Sequence, residues 1–292
     1  DDPFPFAENP VLSSVDDVRG LNDDDIVVLV SFENEVRAYP YKFIGPFEVV
    51  NDHLDGESFA ITYCPVTESG HASDNTFNEA QFSLIASGFR YKDNLNSHDQ
   101  STNTYWSQML MKCIKGPFQN QFQQTLPMVE ASWKTVTDYF PEARVFTPVS
   151  ISSKNAPVSQ RKHTDLPEED ERVFGVLNIS TVQETSVALF RMSDFNEDIT
   201  LYTSIISEKS THIIGSSTIG FAVAYQDDHS HTFNAVHGQF PIVMADSSGS
   251  LWNVFGIAVS GPRKGERLNN AMAFFGSWWA WKDFYSDFTF VQ

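Results

Sequence analysis

The chain has 292 residues, 41% of them hydrophobic and 14% aromatic, and its 38 Asp and Glu against 19 Lys and Arg give a formal net charge of −19. That length buries a sizeable core without staples, and a charged fraction of 20% is not the composition of a disordered chain. The negative surface makes nucleic acid and membrane surfaces poor partners, and no apolar run reaches the roughly 18 residues of a membrane span.

Residues 1–20 read as an irregular N-terminal arm with one capped turn near Ser14. The absent initiator Met, the aromatic richness and the Asn/Ser/Thr-rich loops predict an exported protein, periplasmic, cell-surface or extracellular, with a leader removed or the chain trimmed at its start. Two cysteines, Cys64 and Cys113, leave the redox compartment open. Short β-like runs follow at 26–32, 59–63 and 82–86. Gly116-Pro117 marks a turn, and residues 131–139 place apolar side chains at helical spacing for one short helix. Residues 150–171 are polar, with Pro157, Pro167 and the acidic run Glu168-Glu169-Asp170-Glu171, and read as a linker. Strand-like runs resume at 173–179, 218–225 and 241–245. A second turn lies at Gly261-Pro262, and a second short helix is predicted over 277–284.

The two halves carry matched words. Thr104-Tyr105-Trp106, Ile114-Lys115-Gly116-Pro117, Ser132-Trp133 and Asp138-Tyr139-Phe140 match Ser250-Leu251-Trp252, Val259-Ser260-Gly261-Pro262, Ser277-Trp278 and Asp283-Phe284-Tyr285. From Gly-Pro to Asp the spacing is the same in both. The expectation is an α+β, strand-dominated fold made of two diverged copies of a β-rich module, each ending in a short helix. Its parts would be an arm over 1–20, a first module over 21–149 with the candidate site, a linker over 150–171, and a mainly structural second module over 172–292.

Several first-half words, in this order, resemble the bacterial and archaeal family catalogued as domain of unknown function 3179. They are Ala38-Tyr39-Pro40, Glu48-Val49-Val50-Asn51-Asp52, Thr62-Tyr63-Cys64-Pro65, Ser87-Gly88, Trp106-Ser107-Gln108 and Gly116-Pro117. The second half matches mostly from Trp252 to Pro262. The resemblance implies an exported or surface protein with a β-rich fold and supplies no reaction. Relatives often carry His before the Glu-Val-Val-Asn-Asp word, and some carry a second Cys two residues after Cys-Pro. Here those places hold Pro46-Phe47 and Val66-Thr67, so no metal or dithiol role is carried over.

Three groups of residues bear on chemistry. Cys64 follows an apolar run and precedes Pro65, a place where a thiol can be exposed and activated, with Asp52, His53 and His71 as bases to consider. The bland alternatives are a buried inert thiol or a disulfide to Cys113. Glu48, Asn51 and Asp52 offer acid and amide groups that orient a ligand or cation, or serve a turn before Gly56. On a strand, His229 and His231 would face one side and, with His237, allow a metal ion, although Asp227-Asp228-His229-Ser230-His231 also reads as a solvated hairpin tip. Otherwise no cofactor is evident: a phosphate loop, a His-Glu-x-x-His motif and a Gly-x-Ser-x-Gly elbow are all missing.

Because the polar words cluster in one half, the leading expectation is a non-catalytic exported binding protein for a small molecule or surface partner. Its site would be lined by Tyr39, Asn51, Asp52, Tyr63, Cys64, Ser87, Trp106 and Gln108. The alternatives are a thiol-dependent enzyme with Cys64 as nucleophile, and a metal-binding module.

Overall fold

Short runs of Val, Ile, Phe and Tyr, cut every few residues by Gly, Asn and Asp, dictate strands and turns more than helices. The computed structural model describes residues 7–32, 35–77, 80–148, 171–181, 184–228 and 231–291. The expected linker, Glu171 apart, and residues 1–6 of the expected arm lie outside the described residues.

In chain order the first strands are β1 (Ala7–Glu8), β2 (Leu12–Ser14), β3 (Ile26–Phe32), β4 (Glu35–Pro40), β5 (Val49–Leu54), β6 (Glu57–Cys64) and β7 (Ser69–Asp74). Next come β8 (Thr76–Phe77), β9 (Ala80–Gln81), β10 (Leu84–Tyr91), β11 (Asn94–Asp99) and β12 (Thr104–Ser107). They are followed by β13 (Lys112–Lys115), β14 (Met128–Ser132) and β15 (Arg144–Phe146). The later strands begin with β16 (Arg172–Ile179), β17 (Thr185–Phe190), β18 (Thr200–Ile206), β19 (Lys209–Ser216) and β20 (Phe221–Asp227). The remainder are β21 (Phe233–Ala235), β22 (Ile242–Asp246), β23 (Leu251–Asn253), β24 (Ala258–Ser260), β25 (Asn269–Asn270), β26 (Ala273–Ser277) and β27 (Phe288–Phe290). Short helices α1 (Tyr41–Ile44), α2 (Trp133–Tyr139) and α3 (Trp278–Phe284) interrupt them, and no described helix is long and apolar enough to cross a membrane.

Beside the small β8–β9 pair, the strands form six sheets. Sheet I runs β14-β3-β4-β15-β2, sheet II β1-β5-β6-β7 and sheet III β10-β11-β12-β13. Sheet IV runs β26-β16-β17-β27, sheet V β18-β19-β20-β25 and sheet VI β21-β22-β23-β24. Each sheet packs on its neighbours through an apolar cluster, and the clusters close a ring. Val28, Val30 and Tyr39 of sheet I meet Phe59 and Ile61 of sheet II. Val49 and Ala60 of sheet II meet Leu84, Leu95 and Trp106 of sheet III. Met109 and Met111, between β12 and β13, meet Val173, Leu189 and Phe274 of sheet IV. Phe174 and Phe190 of sheet IV meet Ile213 and Ala222 of sheet V. A large cluster joins Ile214 and Val223 of sheet V, Val243 and Trp252 of sheet VI, and Val27 and Val129 of sheet I.

This corrects the expected fold class. Of the described residues 53% are in strands and 9% in helices, with six small sheets arranged as the blades of a β-propeller, and not an α+β pair of diverged module copies. The matched words report local needs that sheet packing does not share. Gly116 and Gly261 have φ of +119° and +87°, and a Cβ on either would press on the backbone of Thr104 or Ser250. Such a word says how a turn closes and nothing about where the next sheet lies. Two of the clusters cross the middle of the chain, so the halves share part of their core.

The middle of the ring is filled. β7 approaches β26 and β14 approaches β20. The His71 ring lies on Phe274 with centroids 4.1 Å apart, and the Asn270 amide donates to Thr125 Oγ1 at 2.8 Å. A void of about 10 Å³ is left between Glu130, Asn270 and Phe274, room for about one water molecule. Larger openings lie between the blades.

Candidate functional site

Between sheets II and III opens a cleft of about 670 Å³, lined by Glu8, Asn9, His53, Gln81, Ser83, Asp99 and Gln100, with Asn51 and Asp52 at its base. Among its described lining residues there are three carboxylates and no Lys or Arg.

β5 builds the base of the cleft. Successive strand residues face opposite sides, so Asn51 turns to sheet III while Asp52 turns to sheet I. The Asn51 side chain acts as a piece of ladder. Its Nδ2 donates to the Leu84 carbonyl at 2.7 Å, and its Oδ1 accepts from the Leu84 amide at 2.8 Å and from Asn75 Nδ2 at 3.2 Å. Asp52 Oδ2 accepts from the Tyr39 hydroxyl at 2.5 Å and from Arg37 at 2.7 Å, and Oδ1 accepts from the His53 amide at 2.8 Å. Burial, then the adjacent Asp52 carboxylate, pushes the Tyr39 hydroxyl well above its usual range and keeps it a donor. Burial alone would lower the Arg37 pKa, but Glu35, at 2.6 Å, and Asp52 together raise it and hold the guanidinium charged. The rim is looser: Ser83 donates to Glu8 at 2.9 Å, and His53 Nδ1 lies 2.6 Å from Asn9 Oδ1. Asn51 and Asp52 therefore fix the position of His53, whose ring is exposed at the mouth.

The other expected site residues are placed elsewhere. Tyr63 stacks on Tyr41, centroids 3.9 Å apart and planes 12° apart, beside a buried ion pair between sheets I and IV. There Glu130 accepts from Tyr41 at 2.5 Å and from Arg172 at 2.6 Å. Burial raises the Glu130 pKa and Arg172 opposes it. Gly70 leaves the space in which the Tyr41 ring crosses β7, since a Cβ there would overlap its hydroxyl. Gln108 is spent on packing: its Oε1 accepts from Ser69 and Asn94, both at 2.8 Å, and its Nε2 donates to Thr62 at 3.0 Å. Trp106 lies buried, stacked between Phe82 and Phe118. Ser87 caps the exposed bulge of β10, accepting from the Phe89 amide at 3.2 Å.

Cys64 is fully buried in the same apolar cluster as Trp106 and Cys113, its thiol 3.8 Å from the Asp93 carbonyl. A carbonyl takes no proton from a thiol, and His71 faces Phe274 instead. Cys64 and Cys113 are both free thiols, and burial raises the pKa of the latter. Of the three histidines considered for a metal, His229 lies outside the described residues. β20 stops at Asp227, so His231 is not on a strand; it pairs with Asp227 at 3.1 Å, while His237 pairs with Asp198 at 3.3 Å. Among the described residues no group of three or more His, Cys, Asp or Glu is placed to hold a metal ion.

Sequence reasoning overlooked Arg37, Glu130 and Arg172. Arg37 had a signal: Glu35, Arg37 and Tyr39 alternate along one strand face, an acid, a base and a hydroxyl in line. Arg172 and Glu130 had none, being brought together only by ring closure.

A family model described as "Protein of unknown function (DUF3179)" matches residues 1–288. No curated protein and no solved structure matches the chain.

Proposed function

The chain belongs to this family, and from that premise we propose that it is an exported, non-catalytic binding protein whose cleft between sheets II and III takes a small polar ligand. The observation that carries the reading is the cleft itself. At about 670 Å³ it has the size of a small-molecule site, and its base is fixed by hydrogen bonds before any ligand arrives. Carboxylates, amides and hydroxyls line it, and no described Lys or Arg does. That chemistry favours neutral polyhydroxyl or amine-bearing ligands over anions. The aromatic-rich composition supports the exported setting. Burial of Cys64 in an apolar cluster counts against thiol catalysis.

The test is a thermal-shift and calorimetric panel of neutral sugars, amino sugars, diamines, sulfated sugars and dicarboxylates. Neutral or amine ligands should raise the melting temperature. His53→Ala should abolish that rise without changing the melting temperature of the free protein. A panel without binders, or binding by anions alone, would sink the reading.

A further inference from the structure

Sheets I and IV are strung alike, β14-β3-β4-β15 and β26-β16-β17-β27, each with a parallel last pair. Their outer margins differ. At sheets I and II, residues 7–14 supply cover: β2 pairs antiparallel with β15, and β1 pairs parallel with β5. Ala7 and Leu12 pack into the cluster between those sheets. At sheets IV and V, β27 and β18 are end strands with no such cover among the described residues.

Among the described residues β18 is an unguarded edge. It runs Thr-Leu-Tyr-Thr-Ser-Ile-Ile, without proline or charge, in unbroken register with β19 from Thr200 to Ile206. Proteins blunt edge strands with bulges, charges, prolines or short length, because an open row of amides and carbonyls invites another strand. β10, at the edge of sheet III, has a bulge and Arg90, and β21, at the edge of sheet VI, has 3 residues. β18 uses none of these devices, and its Ile205 is 69% exposed. A groove of about 390 Å³ lies between β18 and β27, lined by Ser204, Ile205, Ile206, Thr289 and Val291, with Asp287 as its charged residue among those described.

We propose that this groove receives an extended basic segment of a partner protein, which adds a strand to β18 as β1 adds to β5. The open edge supplies the ladder. Apolar side chains spaced like Ala7 and Leu12 fill the groove. A Lys or Arg meets Asp287 within the field of a chain of net charge −19. The same charge argues against a second copy as occupant, since this chain's own arm carries Asp1, Asp2 and Glu8.

The probe is a synthetic peptide of residues 7–14 carrying Glu8→Lys and Ser14→Lys, titrated into the full chain beside the unsubstituted peptide. Hydrogen exchange should slow across residues 200–206, with the lysine peptide bound about tenfold tighter than its acidic counterpart. Ile205→Lys and Asp287→Lys, both surface changes, should each weaken it about tenfold at an unchanged melting temperature. Unslowed exchange at 200–206 up to about 1 mM peptide overturns the proposal. So does equal binding of the acidic peptide, or protection at β10 or β21 instead. A concentration-dependent dimer that protects β18 would replace the basic partner with a second copy.

Discussion

Sheets I and II and sheets IV and V sit across the ring from one another, and they treat their outer strands differently. β5, covered by β1, is buried from Val49 to Asp52; β18, uncovered among the described residues, exposes Thr203, Ser204 and Ile205. Sheets I and IV share their strand order, yet among the described residues only sheet I carries a further strand, β2, on its outer edge. The difference comes from eight residues of extended chain at one margin, so edge protection is added to a blade rather than inherent in it.

The largest effect is expected where the two sides meet. Arg172 of sheet IV reaches Glu130 of sheet I at 2.6 Å with both side chains largely buried. Arg172→Ala or Glu130→Ala leaves a buried charge alone and should cost about 3–5 kcal/mol in denaturant titrations, while the paired Arg172→Met, Glu130→Leu change should recover most of it. If the pair of changes is as damaging as either alone, the ion pair is not what joins the sides.

His71 lies on the same line of contact, and burial holds its pKa down to about 3 from 6.5. Between those values the unfolded chain takes up a proton that the folded chain refuses. Stability should therefore fall as pH drops below about 6.5, by up to about 1.4 kcal/mol per unit, until about 3. His71→Phe keeps a ring against Phe274 and should flatten that limb in urea titrations between pH 7 and 4. An unchanged slope would assign the acid sensitivity to carboxylates.

The smallest effects sharpen the comparison most directly. Leu12→Lys removes a packed side chain from the covered margin and should cost about 1–2 kcal/mol, with faster exchange in β5 and β15. Ile205→Lys on the bare margin should stay within about 0.5 kcal/mol. Equal costs would erase the distinction between the margins.

Strands with apolar runs were legible. β3, β6, β16 and β22 lie on the expected runs, β10 and β20 start two and three residues late at Leu84 and Phe221, and α2 and α3 follow the two Ser-Trp words. Ser132 caps α2 through a 3.1 Å bond from the Thr135 amide. β11 was not legible. Asn94-Leu95-Asn96-Ser97-His98-Asp99 reads as a polar loop, yet most of it is buried, because Asn94 and Gln108 satisfy each other inside the fold. The Asn51-Asp52 word marked the base of the cleft, but its partners Leu84, Tyr39 and Arg37 come from two other strands, β10 and β4, that spacing alone does not align. Ring order was invisible for the same reason: apolar alternation names the buried faces of a strand and not the sheet that covers them.

Stitching sheets I and IV from distant stretches has a consequence for biosynthesis. Sheets III and VI are each built from consecutive strands and can assemble as soon as their residues leave the ribosome. The β3–β4 hairpin must wait for β14 and β15, and the β16–β17 hairpin for β26 and β27. At about 5–20 residues per second those hairpins stay half-paired for seconds, long enough for a chaperone to hold them. The blades therefore mature out of the order in which they begin, sheet I closing after sheets II and III, and sheet IV after sheets V and VI.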